Sequence, residues 1–473
     1  MKKIIDTLLR VAIIAYALLH FITVFIQVDF LEQLLGLTGV SMLLLTLLHL
    51  KARHFKLPLF ILLIGVIVLV YSHTSLIEGL HHGMLQMRGI VGFLIIIPLI
   101  SYVLREEPYI EDIMALFHTF IHTSKRFYFS IVAFTQIITY FVLFGSIPMM
   151  HQFINIILKN QTSLVWENYK ATALLRGFAL STMWVISIPS FIFAVETLGA
   201  SLSMTILQGM GIALLGSVMA MIFAYFHEKR TGVTLTPTLQ AEIKKTVENA
   251  SPKEVRVKKV IEFSMLFVTL FGSVFLIHGL FDITLMVLIP IVIIFWMVSF
   301  YIIKRLTEKI PDTLSHYYEH DLTNQAYQLN IMLCVGVLIY ALNQTNFSHI
   351  TVESLAYVQD VLPFINILSL LPFIIIFLGF AGLGPLTVMV LVAGILESMS
   401  FPYPAELIVL SVTSGSVISI LISPLIMPVI VLSSANKLSL FMNGFKFNWK
   451  YAIAFYILVQ LYIQIAVQFG FFT

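Results

Sequence analysis

The sequence has few charged residues and a single cysteine. Of its 473 residues only 11% are Asp, Glu, Lys or Arg, whereas 59% are hydrophobic. The mean hydropathy is +0.99, a value at which a soluble globular domain would aggregate. Cys334 is the single cysteine and lies within an apolar run, so a disulfide within the chain is excluded. The scarcity of charge predicts an integral membrane protein.

Several functional motifs are also missing. The sequence has no Gly-Lys-Ser/Thr phosphate-binding loop, which excludes ATP-driven pumping by this chain alone, and no HExxH motif. The net charge of +3 is too small to indicate a nucleic-acid partner. Histidines at helical spacing offer metal ligands, but solvated helix faces carry the same pattern. These groups are His81, His82 with Glu78; His118 with His122; and Asp312 with His316 and His320. We predict no metal, no cofactor and no catalytic residue, with Na⁺ or H⁺ as a coupling ion.

Apolar runs recur along the whole chain, and they lack the short alternation of a barrel strand. The pattern predicts an all-α, polytopic membrane bundle of about 10–13 transmembrane helices. We divide it into an N-terminal transmembrane repeat (1–226), a basic cytoplasmic linker (227–259) and a C-terminal transmembrane repeat (260–473). Membrane lipid is therefore an expected partner.

One short phrase occurs twice. Gly177-Phe178-Ala179 opens an apolar stretch that ends at Glu196, and Gly379-Phe380-Ala381 opens another that ends at Glu397. Both stretches are short for a membrane span and interrupted by small or polar residues. We expect two re-entrant hairpins, at 177–199 and 383–400, each followed by a limb that holds more small residues, at 202–226 and 405–430. Interrupted segments of this kind form the substrate sites of many carriers, because unwound backbone offers polar groups near the bilayer midplane.

The distribution of Lys and Arg predicts orientation. Basic residues flank the second and fourth spans and crowd the 227–259 linker, which places the N-terminus and the linker in the cytoplasm. Counting 127–148 as one span puts 149–176 and 435–447 outside, and it makes the second repeat enter from the face opposite to the first. Lys437, Lys446 and Lys450 would then lie outside, against the positive-inside rule. A full span at 383–400 would remove that conflict and the inversion with it.

Two amphipathic segments, 105–126 and 304–330, are expected to lie along the cytoplasmic interface, as tethers of a moving domain or as simple connectors.

Hydroxyl groups beside prolines are the candidate ligands. Pro189 and Pro385 disfavour helix in the residue before them and leave carbonyl groups free. The run Thr413–Ser416 is expected to form an unwound bend facing the ligand. The predicted substrate or ion ligands are Ser181, Thr182, Ser187, Gly384, Thr387, Ser414 and Ser416. At any one of these positions the other interpretation is that the hydroxyl bonds back to its own helix.

Three charged residues have two interpretations each. Glu196 and Glu397, at matching ends of the repeated stretches, are candidates for proton coupling or for interfacial anchoring. Arg176 either attracts an anionic substrate or extends its charge to the membrane surface.

The run Gly379-Phe380-Ala381-Gly382-Leu383-Gly384-Pro385, with Ser423-Pro424 further on, resembles the second half of permeases in the ion transporter superfamily. This group includes carriers of arsenite, citrate, gluconate and divalent anions. Arg176-Gly177-Phe178-Ala179 with Ser181 and Trp184 is similar to the first half. The resemblance implies two inverted repeats, each with a hairpin and a broken helix, alternating access and a homodimer. The Ser-Asn-Thr signature of the dicarboxylate branch is absent from both stretches.

The predicted function is secondary active transport of a small anionic solute across the bacterial inner membrane. The alternative is a membrane enzyme or an assembly component of cell-envelope lipid or glycopolymer metabolism. For an enzyme, the segment 149–176 would supply the chemistry through His151, Glu167, Lys170 and Arg176.

Overall fold

A computed structural model describes residues 2–50, 55–107, 109, 112–113, 123–158, 161–232, 234–241, 252–281, 283–361 and 366–471. These residues form helices and no strand. Ten helices among them are long and apolar enough to cross a membrane. In hydrocarbon a helix satisfies its own backbone groups, which is why such apolar runs fold this way. The predicted all-α polytopic bundle is confirmed.

The helices, numbered in chain order, are α1 Lys2–Phe25, α2 Asp29–His49, α3 Lys56–Tyr71, α4 Leu76–Gln86, α5 Arg88–Ile96, α6 Leu99–Arg105, α7 Ser124–Val142, α8 Ser146–Ile157, α9 Leu164–Ser181, α10 Pro189–Thr197, α11 Leu202–Thr231, α12 Lys253–Leu280, α13 Leu285–Ile303, α14 Ile310–His316, α15 Leu322–Asn343, α16 Phe347–Val361, α17 Ile367–Phe380, α18 Pro385–Leu396, α19 Ala405–Ile422, α20 Met427–Asn436 and α21 Phe447–Gln468.

The bundle has two ends, which polar contacts identify. At the first end Ser124 Oγ donates to Glu228 at 2.6 Å, and Lys304 pairs with Glu262 at 2.5 Å. This end also holds both borders of the basic linker, and we call it the linker end. The opposite end is reached along α11, whose 30 residues span about 45 Å. There Ser201 N donates to Glu406 at 3.0 Å, and we call it the far end.

The first repeat contains a hairpin formed by α7 and α8. Helix α7 starts at the linker end with Ser124 and turns inside the bundle at Leu143–Gly145, which we call the first tip. Helix α8 runs back, because Lys170 donates to Asn155 Oδ1 at 3.0 Å and the neighbouring Tyr169 hydroxyl donates to Ser124 O. The start of α7 and the end of α8 therefore both lie at the linker end.

The next element is a crossing helix with an interruption. Helix α9 starts at the linker end beside Ser124 and ends at Ser181. Residues 182–188 are non-helical, and we call them the first break. Helix α10 then continues to Glu196, whose Oε2 accepts from Met286 N at the start of α13, at 2.9 Å. Since α13 ends at the linker end, Glu196 lies at the far end.

The second repeat contains a hairpin that enters from the far end. Helix α17 starts there, because Leu368 O accepts from Gln460 at 3.1 Å, near the end of α21. It turns at 381–384, the second tip, where Gly382 has φ +95°, a conformation that glycine adopts readily. Helix α18 returns to the far end, where Ser398 and Ser348 hydroxyls lie 2.6 Å apart just beyond α15.

A second interrupted crossing follows. Helix α19 starts at the far end with Glu406 and ends at Ile422, and residues 423–426 form the second break. Helix α20 ends at Asn436, which donates to Asn443 Oδ1 at 2.8 Å near the linker end. Each repeat thus has a hairpin, an interrupted crossing and one intact helix, and the two sets run in opposite directions.

The structure places these elements at other residues than we predicted. The first hairpin is 124–157, not 177–199. Its two helices, α7 and α8, follow each other closely enough in the sequence to be taken for one span, but the chain turns back between them at the first tip. The second hairpin is 367–396, not 383–400. Helix α11 is continuous through 202–226, although the resemblance implied a broken helix after the first hairpin.

Thr413–Ser416 is helical within α19, and the helix breaks seven residues further on, at Ser423. Ser411 and Ser423 reach across to α17, where they donate to Leu368 O at 2.6 Å and Gly379 O at 3.0 Å. The expected bend at 413–416 is therefore wrong.

Counting 127–148 as a full span also separated two segments from the basic linker, although they lie at the same end as its borders. Residues 161–176 and 436–447 lie at the linker end, together with the borders of the basic linker. The error follows from counting the hairpin 124–157 as a crossing. Lys437, Lys446 and Lys450 now share an end with the basic linker, so the conflict with the positive-inside rule disappears.

Segment boundaries differ in smaller ways. Helix α11 extends to Thr231 and α12 starts at Lys253, so helices occupy both borders of the predicted linker. The amphipathic segment 105–126 lies mostly outside the described residues. In the segment 304–330, α14 and a π-helical turn (Tyr317–Asp321) lead directly into α15.

Candidate substrate cavity

A cavity of about 520 Å³ lies where the two repeats meet. It is bounded by the first tip, both sides of the first break, the start of α18 and the end of α19, and it extends along α6 and α15 to Arg105 and Asp321 at the linker end. Its polar lining residues are Ser101, Arg105, Thr182, Ser190, Asp321, Asn324, Gln325, Gln328 and Ser416.

The first tip is fixed against the first break. Ser187 Oγ donates to Tyr140 O, and Phe144 packs on Phe178 with ring centroids 5.6 Å apart. Leu143 has φ 48°, an uncommon conformation for a residue with a side chain. The tip therefore reaches the cavity in one defined conformation.

Two short helices begin at the cavity wall. Pro189 is the first residue of α10 and Pro385 is the first residue of α18, and both line the cavity. Proline is suited to this position, because the first helical N–H has no partner within the helix. The positive ends of two helix dipoles therefore lie at one cavity, and α10 and α18 pack on each other beyond it.

Two of the predicted ligands line this cavity. Thr182 does so from the first break, although its hydroxyl donates to Ala179 O at 2.7 Å. Ser416 does so from α19, and its fully buried hydroxyl has no hydrogen-bond partner among the described residues. A buried hydroxyl without a partner costs about 1–3 kcal/mol, so Ser416 is the residue here best placed to gain from a ligand.

Most of the other predicted ligands bond to backbone. Ser181 Oγ donates to Phe178 O at 2.6 Å, Ser414 Oγ donates to Ser411 O at 2.7 Å, and Ser187 holds the first tip as described above. Gly384 precedes α18 as its N-cap, next to the lining residue Pro385. Thr387 is buried in the first turn of α18 and is not part of the cavity lining.

The prediction missed the contribution of α15. Asn324, Gln325 and Gln328 line the cavity from the first turns of this helix. We had assigned these amides to the amphipathic segment 304–330, which we expected to lie along the cytoplasmic interface. Their spacing of three and four residues, which puts them on one helical face, was the available signal. Ser190, next to Pro189, also lines the cavity and was not in the predicted ligand set.

The two glutamates are not equivalent. Glu196 is half-buried and its carboxylate accepts from Met286 N, so it caps the start of α13 and ties α10 to that helix. Glu397 is exposed at the end of α18. The stretch that follows the repeated phrase thus belongs to an interrupted crossing in the first repeat and to a hairpin in the second.

Arg176 lies away from the cavity, inside a network of four helices. Its guanidinium donates to Asn448 Oδ1 at 3.0 Å, the Tyr128 hydroxyl at 3.0 Å, Ala220 O at 3.5 Å and Phe447 O at 3.4 Å. The side chain is only 4% exposed. It therefore joins α7, α9, α11 and α21 and does not stand at a cavity entrance.

The residues of the alternative enzyme interpretation come partly together. Glu167 pairs with Lys170, and Asn155 links Lys170 to His151 at 3.0 and 3.2 Å. Lys170 is 2% exposed and His151 6% exposed, so the cluster is buried between α8 and α9. Within the described part of the chain, no group of three or more His, Cys, Asp or Glu side chains is arranged to hold a metal ion. His118 and His122 lie outside the described residues.

No protein-family model matches the sequence, and no curated protein matches it. The resemblance to the ion transporter superfamily therefore stays a prediction from the residues quoted above. The protein is a multi-pass, all-α membrane protein with a mainly apolar cavity, which carries the polar side chains named above, at the meeting point of two oppositely directed repeats.

Proposed function

We propose that this protein is a secondary active transporter that moves a small anionic solute by alternating access. The observation that supports this most is the position of the cavity. Elements of both repeats line it, and they are the parts where the helices are interrupted or begin. Unwound backbone at membrane depth is tolerated where it lines a cavity, and carriers bind their substrates in such places.

The polar groups of the cavity suit an anion. The starts of α10 and α18 each contribute the equivalent of roughly half a positive charge, and the amides of α15 supply further donors. Asp321, the acidic residue of the lining, already accepts from the Tyr102 hydroxyl at 2.7 Å near the linker end. A carboxylate or oxyanion would therefore be favoured at the inner end of the cavity.

Alternating access needs a second opening toward the far end. In the present arrangement the packed pair α10 and α18 lies between the cavity and that end. We infer that this pair moves against α5 and α15 during transport, with a Na⁺ or H⁺ gradient as the driving force. The resemblance to the ion transporter superfamily adds the expectation that the protein forms a homodimer.

The distribution of basic residues supports an orientation. The linker end carries the borders of the basic linker and the three lysines near α21, so we propose that it faces the cytoplasm. The N-terminus belongs to the same end, because Arg10 donates to Glu319 O at 2.7 Å beside α14. The proposed location is a bacterial inner membrane.

Transport can be tested in sealed vesicles. Purified protein in proteoliposomes is offered radiolabelled phosphate, sulfate, citrate and gluconate, with imposed Na⁺ or pH gradients. Ser416→Leu places a larger apolar side chain at the cavity wall, and Ser434→Leu makes the same change on the exposed surface of α20. We expect uptake of at least one anion that Ser416→Leu abolishes and Ser434→Leu preserves.

The same preparation separates the carrier from the enzyme. An enzyme of envelope lipids would turn over a lipid-linked substrate in detergent, with no sealed compartment. Turnover in detergent that depends on His151 and Lys170, together with no gradient-driven uptake of any anion, would refute the transport proposal. The burial of these two side chains argues against such turnover.

A further inference from the structure

A second large pocket lies at the linker end, between the start of α9, the end of α11 and the start of α21. Its volume is about 840 Å³. It shares no lining residue with the central cavity, so the transport proposal does not account for it.

The pocket is strongly basic. Among the described residues that line it, Arg176, Arg230, Lys446 and Lys450 carry positive charge and Glu228 carries negative charge. Glu228 is already engaged, since it accepts from Ser124 Oγ at 2.6 Å and from Leu235 N at 2.9 Å. The pocket therefore has an excess of positive charge that its own residues do not neutralise.

Arg176 forms the inner wall of this pocket. Its hydrogen bonds within the described chain go to a carboxamide, a hydroxyl and two backbone carbonyls, all of them uncharged. The guanidinium also lies 4.4 Å from the centre of the Tyr451 ring. These contacts hold the group in place and satisfy its donors, but they leave its charge without a counter-ion. A buried charge of this kind favours an anion nearby.

The outer side of the pocket is apolar and exposed. Ile222 is 43% exposed, Phe226 59% and Trp449 41%, and all three line the pocket. These residues lie in the linker-end halves of α11 and α21, where exposed apolar side chains would meet the acyl chains and headgroups of a bilayer. Tryptophan is enriched at this depth because its ring suits both environments. The pocket is thus basic on one side and apolar on the other.

We propose that this pocket binds one anionic phospholipid from the leaflet at the linker end. The phosphate would lie among Arg230, Lys446 and Lys450, with the charge of Arg176 behind it, and an acyl chain would run along Ile222, Phe226 and Trp449. Basic pockets between membrane helices bind anionic headgroups in this manner. A bound lipid would join α9, α11 and α21, which belong to both repeats.

The test is native mass spectrometry of the delipidated protein titrated with phosphatidylglycerol or phosphatidylcholine. The test variant is Arg230→Gln/Lys446→Gln/Lys450→Gln, which changes exposed side chains and leaves Arg176 intact. The matched control, Lys3→Gln/Lys56→Gln/Lys258→Gln, removes the same charge from exposed positions outside the pocket. Each basic residue near a membrane surface strengthens anionic-lipid binding about fivefold.

We expect one tightly bound phosphatidylglycerol per chain and weaker phosphatidylcholine binding. The test variant should weaken phosphatidylglycerol binding at least roughly tenfold, and the control should change it by less than about twofold. Equal losses in both variants, or equal binding of the two lipids by the unaltered protein, would overturn the proposal. A third arm adds inorganic phosphate alone. If it binds as tightly as phosphatidylglycerol, the pocket takes a soluble anion and the lipid assignment is wrong.

Discussion

Replacing Gly209 with alanine should loosen the contact between α11 and the first break. A Cβ atom on Gly209 would lie 2.1 Å from Met183 O and 2.9 Å from Met183 C, although real Cβ contacts are essentially never shorter than 3.0 Å. The obstacle is backbone, which cannot rotate away as a side chain can. Either α11 or the break, which carries the cavity residue Thr182, must move by most of an ångström.

Overpacking of this kind costs about 1–3 kcal/mol, and the alanine regains up to about 1 kcal/mol of helix propensity. We expect a net loss for Gly209→Ala. Gly211→Ala, on the same helix, is the matched control, because its Cβ would meet nothing within 4 Å. Thermal unfolding in detergent, followed by size-exclusion chromatography, should give a lower Tm for Gly209→Ala and an unchanged or higher Tm for Gly211→Ala. Equal Tm values for the two variants would refute the close approach of α11 to the break.

Three further substitutions test separate contacts by the same Tm measurement. Glu196→Gln removes a charge that caps α13 and should lower the free energy of unfolding by about 0.5–1 kcal/mol. Glu397→Gln, at an exposed position, should leave the Tm unchanged. Equal losses of Tm would restore the equivalence of the two glutamates that the sequence suggested. Arg176→Lys cannot reach four acceptors at once and should cost about 2–3 kcal/mol, in contrast to the exposed Arg230→Lys, and an unchanged Tm would contradict the network. Leu143→Gly should raise the Tm. Glycine relieves about 1–3 kcal/mol of backbone strain at φ 48°, whereas its greater conformational entropy in the unfolded chain costs about 0.5–1 kcal/mol. A lower Tm would show that the leucine side chain contributes more stability than the strain costs.

Composition predicted the class of the fold, because the cost of exposing so much apolar surface to water leaves few alternatives. It did not predict which helical segments turn back. The phrase Gly-Phe-Ala followed by Pro marks the end of one helix and the start of another, and this local pattern is the same in a hairpin and in an interrupted crossing. Tertiary contacts decide the direction of the next helix: Glu196 binds α13 at the far end, whereas Ser398 meets Ser348 on the side from which its hairpin entered.

The candidate site was predicted in part for a related reason. Thr413 and Ser414 bond to carbonyls of their own helix, so the small polar run stays helical; Ser416, at the cavity wall, keeps a buried hydroxyl with no partner among the described residues. Whether a hydroxyl bonds back or faces a ligand depends on neighbours that a single sequence does not reveal. The amides of α15 were visible as a pattern, but we assigned them to the interfacial segment 304–330 and therefore placed them outside the membrane.

The central claim, that the two hairpins enter from opposite ends, is tested most directly by the sidedness of introduced cysteines. In a Cys334→Ala background, single cysteines at Ser163, Thr231 and Ser398 are labelled in intact and in opened vesicles with a membrane-impermeant maleimide. We expect the cysteines at positions 163, after the first hairpin, and 231, at the linker, to be labelled from one side, and the cysteine at position 398, after the second hairpin, to be labelled from the other. Labelling of the cysteines at positions 163 and 398 from the same side would contradict the central claim.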